Sequence, residues 1–210
     1  MGAFLHLIHS VLLPEVQLES LNPEDPIVVH FTPCPWQLLG TGNYAAVFCH
    51  PEHPDFVVKV YAPGREGFEE EVRVYALLEQ HPAFSRCFYA EQGFLILLRL
   101  YGTTMYDCLH LGKAIPKQVI TDIDRALEYA RFKGLRPHDI HGHNVMVKNG
   151  RGTIVDVSDF LKQEDCSTWD DLKTAYYWIY RPFLLHLPWG VPRWCLTAVR
   201  KGYRYYKKIL

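Results

Sequence analysis

The chain has 210 residues, 49% of them hydrophobic and 14% aromatic, enough to bury one large core or two small lobes and too apolar to stay disordered. A formal net charge of −1 removes any global electrostatic case for nucleic acid or an acidic membrane. Six cysteines are scattered without a CxxC pair, which in a chain this long reads as mostly buried, reduced thiols.

The start, MGAFLHLIHSVLLPE, is a short apolar segment without a basic n-region. It is too short to span a bilayer and offers no signal-peptide cleavage site. His6 stands where a myristoylation motif wants Ser or Thr, so a cytoplasmic location is expected. LNPEDP and TPCP then form a Pro-rich connector, and residues 1–35 read as an N-terminal extension. From Trp36 the pattern changes. WQLLGTG and YAAVFCH predict two short strands around a glycine turn, PEHPD a second turn, and FVVKVYA a third strand, together an antiparallel meander. GREGFEEEVRVYALLEQH carries Phe68, Val72, Tyr75 and Leu78 at helical spacing.

RCFYAEQGFLILLRLYG predicts two more strands, and PKQVITDIDRALEYARFKG a helix with Pro116 near its start and Gly134 as its stop. Next comes GLRPHDIHGHNVMVKNGRGTIVDVSDF, which sets Asp139, three histidines and Asn144 in one loop, followed by a hairpin and Asp156. TWDDLKTAYYWIYRPFL and PRWCLTAVRKGYRYYKKIL predict closing helices. The order of strands, one helix, strands and then mostly helices gives an α+β chain with a small sheet lobe and a helical lobe.

The glycine turn, Gly40-Thr41-Gly42-Asn43-Tyr44, fits a plain hairpin as well as a flap over phosphates. A strand rather than a helix follows it, which argues against a dinucleotide fingerprint. Lys59 lies inside the apolar run Val57-Val58-Lys59-Val60, where an unpaired ammonium is costly and a carboxylate must answer it, unless the lysine points to water from an edge strand. Glu71 shares a helix face with Tyr75 and Leu78 and is preferred over Glu70 as that carboxylate. Strands Val145–Val147 and Thr153–Val155, joined by the turn 148–152, would bring Asn144 and Asp156 together at the open end of a hairpin. Hard oxygen ligands of that kind suit Mg²⁺ with substrate phosphates. A zinc reading of His138, His141 and His143 lacks a fourth ligand or a nearby Cys.

Taken together, these motifs resemble the protein-kinase-like fold over roughly residues 36–180. The resemblance implies a bilobal α+β architecture: a small antiparallel-sheet N-lobe with one helix over residues 36–101, and a reduced, mainly helical C-lobe over residues 102–210. It implies a nucleotide-binding set of Gly40, Gly42, Val47, Val57, Lys59 and Glu71, with Ala45 where the third glycine usually stands. It makes Asp139 the catalytic aspartate, with His141 in the position of the usual lysine, and assigns metal binding to Asn144 and Asp156. ATP and Mg²⁺ are the implied cofactors, and a protein or small-molecule hydroxyl is the implied acceptor, with no nucleic acid partner and no membrane span.

The departures are informative. Pro137-His138 replaces the His-Arg pair before the catalytic aspartate, and Asp156-Val157-Ser158 replaces DFG. Only a dozen residues separate Asp156 from Thr168, too few for a regulated activation segment with a peptide-docking platform. The chain is similar to minimal bacterial serine/threonine-kinase-like proteins. The expected function is that of an ATP- and Mg²⁺-dependent atypical serine/threonine kinase. The alternatives are a small-molecule kinase of the aminoglycoside- or choline-kinase type and a nucleotide-binding pseudokinase acting as a partner-binding module.

Overall fold

Strands buried on both faces need two covers, and the central strands here are of that kind. In a computed structural model, which describes residues 1–23, 25–185 and 189–209, five antiparallel strands lie in the order β3-β4-β5-β7-β6. They are β3 (Gln37–Thr41), β4 (Ala45–Cys49), β5 (Phe56–Tyr61), β6 (Cys87–Glu91) and β7 (Phe94–Leu98). Side chains alternate along a strand. Ala46, Phe48, Val58, Val60, Phe94 and Ile96 therefore point one way, into a core cluster with Trp36 and the N-terminal residues Phe4, Ile8 and Leu12. The intervening positions, including Val57, Lys59 and Tyr61, take the opposite face.

Residues 1–35 are thus built into the sheet unit. Helix α1 (Gly2–Leu7), a π-helical turn (Ile8–Leu12) and α2 (Leu13–Glu15) run on as one amphipathic stretch, with Phe4, Ile8 and Leu12 at 1%, 0% and 0% exposure. The segment expected as a short apolar stretch is helical because the sheet offers it an apolar face. β1 (Gln17–Glu19) and β2 (Val28–Phe31) follow as a two-stranded hairpin. Helix α3 (Phe68–Leu78) spans the residues whose helical spacing the sequence shows, from Phe68 to Leu78. Gly67, at φ 104°, occupies a left-handed position ahead of it, and Glu71, Val74, Tyr75 and Leu78 form its buried stripe.

The contacts divide the chain into two units. The first takes residues 1–81, 85–99 and 157–161; the second takes 82–84, 100–156 and 162–210. In the second, β8 (Thr103–Thr104), β9 (Val145–Lys148) and β10 (Arg151–Ile154) form a small antiparallel sheet, β10-β9-β8. The β9–β10 turn is tighter than its sequence suggested. Asn149 and Gly150, at φ 51° and 75°, make a two-residue link of the kind that matches strand twist, so Lys148 and Arg151 pair directly.

Helix α5 (Lys117–Phe132) packs on β10, with Val119 and Ile123 against Gly152, and buries Ile120, Ala126 and Leu127 as well. The approach is close: a Cβ on Gly152 would lie 3.0 Å from both Val119 Cγ1 and Val119 O. Asp122 fastens this contact. It is buried and accepts from Arg151 Nε at 2.7 Å, Gly152 N at 3.1 Å and Gln118 Nε2 at 2.8 Å. Burial pushes its carboxyl up, but the Arg151 guanidinium and the other donors outweigh that and hold it down at about 2.

Helix α4 (Met105–Leu111), capped by Thr104 Oγ1 accepting from Asp107 N at 3.0 Å, was not legible in the sequence. Helix α6 (Thr168–Ala175) continues as a π-helical run, Tyr176–Leu184, whose buried Tyr176 and Tyr180 brace the backbone of Ile115 through their hydroxyls. Helix α7 (Arg193–Ile209) is the last element; the expected helix reached Leu210, which lies outside the described residues. Of the six free thiols, Cys49 and Cys108 are buried, Cys34 is exposed and the rest are half-buried, fewer buried than expected. Among the described residues no helix is long and apolar enough to cross a membrane.

Candidate functional site

In the first unit a single cross-strand row carries three of the expected residues: Gly40 pairs with Val47, and Val47 with Lys59. Residues directly opposite share a face. Val47 therefore stands beside Lys59, and Val57, two positions earlier and paired with Leu97, lies on the same side. β3 is exposed along its whole length, and a Cβ on Gly40 would meet nothing within 4 Å, so internal packing does not explain that glycine. Gly42 opens the turn, donating from N to Ala45 O at 2.9 Å while its carbonyl accepts from Ile27 N at 2.9 Å. Tyr44 donates its hydroxyl to Asp159 Oδ1 at 3.2 Å.

The lysine is answered as burial requires. Lys59 Nζ lies 2.9 Å from Glu71 Oε1 and 2.7 Å from Oε2, with the two side chains 9% and 0% exposed. Glu70, one residue earlier, is more exposed and accepts instead from Arg73, at 3.4 Å. Tyr61 Oη also donates to Glu71, so the carboxylate is held from two sides. Tyr61 was missed in the sequence, although period-two spacing sets it on the Lys59 face. The nearby Cys87 thiol is pushed up by burial, with the Glu71 charge adding to it.

In the second unit Asp139 takes φ 54°, a left-handed conformation that costs a non-glycine residue energy and is found where structure holds it for a purpose. Here the hold is specific. Asp139 N donates to Cys166 Sγ at 3.3 Å, and Asn144 Nδ2 donates to Asp139 O at 3.0 Å. A carbonyl only accepts, so the amide nitrogen of Asn144 must face it, and the amide oxygen is the atom left for a cation. Val155 N donates to Asn144 O at 3.0 Å, which sets Asn144 and Asp156 at the same open end of the β9–β10 hairpin. An amide oxygen and a carboxylate are hard donors suited to Mg²⁺. Among the described residues there is no group of three or more His, Cys, Asp or Glu placed to hold a metal.

His141 Nε2 lies 3.6 Å from Asp139 Oδ2, and His141 Nδ1 accepts from His143 N at 3.2 Å. His143 stacks on Tyr106 of α4, with ring centroids 4.0 Å apart, and burial lowers its pKa, as do the charges of His141 and Arg200. Tyr106 N donates to Gly142 O at 2.9 Å. Helix α4 therefore supports the loop from beneath. The short segment after Asp156 is also tied: Arg136 Nη1 donates to Gln163 O at 2.7 Å, and Cys166 Sγ meets Thr168 Oγ1 at 3.2 Å. Nothing in the sequence flagged Cys166, because its contact crosses 27 residues.

An open depression in the first unit, about 550 Å³, is lined by the loop Ala62–Gly67 with Gln92 and Gly93. Its lining does not include Lys59, Val47 or Gly40.

No protein-family model matches the chain. Among solved structures it is similar to a point mutant of the Mycobacterium tuberculosis PknI kinase domain (TM-score 0.45, 18% identity, 58% of this chain and 57% of that one). It is also similar to Rad53 1–466 in complex with AMP-PNP (TM-score 0.46, 18% identity, 57% of this chain and 36% of that one). The sequence relation is stronger. The chain is 32% identical over 147 residues, covering 69% of itself and 68% of the relative, to a Bacillus subtilis (strain 168) protein named "Putative serine/threonine-protein kinase YrzF". At that identity and coverage the chain belongs to this serine/threonine-protein-kinase-like family.

Proposed function

We propose that the chain is an ATP- and Mg²⁺-dependent phosphotransferase acting on an alcohol hydroxyl, most simply that of a serine or threonine. The observation that carries this reading is the Lys59–Glu71 pair. A charge this deeply buried is expensive, and Glu71 fixes the ammonium in one place instead of letting it reach solvent. Such a fixed cation is suited to hold α- and β-phosphates. Gly40, Gly42 and Val47 would cover the nucleotide, and Val57 would line its base-side face. Asn144 and Asp156 would hold Mg²⁺, which would neutralise phosphate oxygens when bound. In transfer, the acceptor oxygen bonds to the γ-phosphorus, the bond from that phosphorus to the β–γ bridging oxygen breaks, and the acceptor proton passes to the Asp139 carboxylate. His141, within reach of Asp139, would stand by the transferred group. Catalysis here is positioning and charge neutralisation.

A second reading, a small-molecule acceptor, is supported by the brevity of the segment from Asp156 to α6 and its ties to Arg136 and Cys166, which leave little chain for a peptide platform. Incubation with γ-labelled ATP and Mg²⁺, using self, generic protein and small alcohols as acceptors, tests both. Label in protein supports the first and label in small alcohols the second. Nucleotide binding with no transfer to any acceptor overturns the phosphotransferase reading in favour of a binding module. Asp139→Asn is expected to lower kcat by about a thousandfold or more while leaving nucleotide affinity within a few-fold.

A further inference from the structure

The near-zero net charge hides a strong asymmetry. From Leu172 to Leu210 the chain holds eight of its 22 Lys and Arg and none of its 23 Asp and Glu, which leaves fourteen cations against 23 carboxylates in residues 1–171. The same stretch holds three of the five tryptophans, all exposed: Trp178 at 76%, Trp189 at 68% and Trp194 at 74%. On the π-helical run Tyr176 and Tyr180 face inward and fasten to Ile115, which turns Trp178, Ile179 (55%) and Phe183 (68%) to solvent. Single exposed apolar groups are ordinary, but several on neighbouring elements mark an interaction surface. The surface is fixed in place, since α7 packs on α4 and Tyr203 Oη donates to Asp171 Oδ2 at 2.8 Å.

We propose that this face, formed by the π-helical run Tyr176–Leu184 and helix α7, docks on the surface of an anionic phospholipid membrane without crossing it. Charge complementarity selects that occupant. Tryptophans with interleaved Lys and Arg and no acidic residue are the make-up of an interfacial element, apolar rings entering the headgroup boundary while cations meet lipid phosphates. A second copy meeting the same face about a twofold axis would set cation against cation. Nucleic acid would meet the cations, but Ile179 and Phe183 offer it no hydrogen bond. Helix α4, on which α7 packs, carries the Tyr106 that stacks on His143, so docking would hold the catalytic loop's own unit at the lipid surface.

The test uses the full chain and sedimentation with phosphatidylcholine vesicles, with and without phosphatidylglycerol, at low and high salt. Binding is expected only with the anionic lipid, weakened at high salt, and with a blue shift in tryptophan emission. Arg193→Glu with Lys201→Glu is expected to lower partitioning by about tenfold or more. Trp178→Ser with Phe183→Ser should do the same at unchanged melting temperature, because these side chains are exposed. The proposal is overturned by no binding to anionic vesicles, by equal binding to neutral ones, or by variants that bind like the parent. Concentration-dependent self-association lost in the same variants, or tighter binding to an oligonucleotide than to vesicles, would overturn it as well. None of these readouts depends on phosphate transfer.

Discussion

An ammonium taken this far out of water stays charged only while its partner stays. Removing Glu71 would strand Lys59 on the inner face of β5, and Tyr61 would lose its acceptor too. Glu71→Ala is therefore expected to cost about 3–5 kcal/mol of stability, read from urea midpoints. Glu71→Gln, which keeps the shape and an acceptor oxygen for Tyr61, should cost clearly less while still impairing nucleotide binding. Equal losses for the two would show that packing, not charge, sets the cost. His141 belongs to the same scale. Its ring accepts from His143 N and approaches Asp139, so His141→Ala is expected to lower kcat by about ten- to a thousandfold in a transfer assay. A loss of melting temperature with unchanged kcat would reduce it to a loop support. Much of this was legible in the chain itself. Lys59 betrayed its need for a partner by standing in an apolar run, and the stripe containing Tyr75 and Leu78 selected Glu71. Tyr61 and Cys166 were not legible, since a tyrosine in a strand and a lone cysteine are ordinary until the fold brings their partners to them.

Among elements, the join between α5 and β10 has the clearest dependence on acidity. The Asp122 carboxyl is held at about 2, below an unfolded value of about 3.9. A depressed acid stabilises the fold fully above its unfolded value, and that contribution fades as pH falls through the folded one. The chain should thus lose on the order of 2 kcal/mol between about pH 4 and pH 2 from this group alone. Asp122→Asn should remove that share of the acid dependence and lower stability at neutral pH, both measured by denaturant titration across pH; an unchanged acid limb would take Asp122 out of the account. The segment after Asp156 is the other informative element. Arg136 donates to the Gln163 carbonyl, and His138 rather than an arginine stands before Asp139. Phosphatase-treated protein is expected to keep its transfer rate, and a rate restored only by rephosphorylation would refute this. Helix α5 was readable because its stripe is long and its ends are marked by Pro116 and Gly134, whereas the two residues of β8 and the short α4 offer too few positions for any period to show.

At the scale of the whole molecule, the N-terminal stretch escaped the sequence reading for a different reason. Phe4, Ile8 and Leu12 are spaced as a helix stripe, but what they cover is a sheet that begins only at Gln37 and includes Phe94 and Ile96. Each of the three contributes on the order of 1.5–3 kcal/mol by burial, a large share of the stability of a domain of this size. A chain lacking residues 1–15 is expected to expose that sheet face, seen as strong binding of a hydrophobic dye and a lowered melting temperature; a native-like melt would show the helix to be ornamental. The division of the chain adds a consequence for its birth. The first unit closes with Val157–Leu161, and the second already claims Pro82–Phe84. A ribosome therefore releases neither unit whole before the other is largely made. The opening helix must wait some eighty residues of synthesis, several seconds at ordinary elongation rates, for Phe94 and Ile96 to arrive beneath it. Through that interval Phe4, Ile8 and Leu12 are bare on a nascent chain, as natural a target for a chaperone as any segment of this protein.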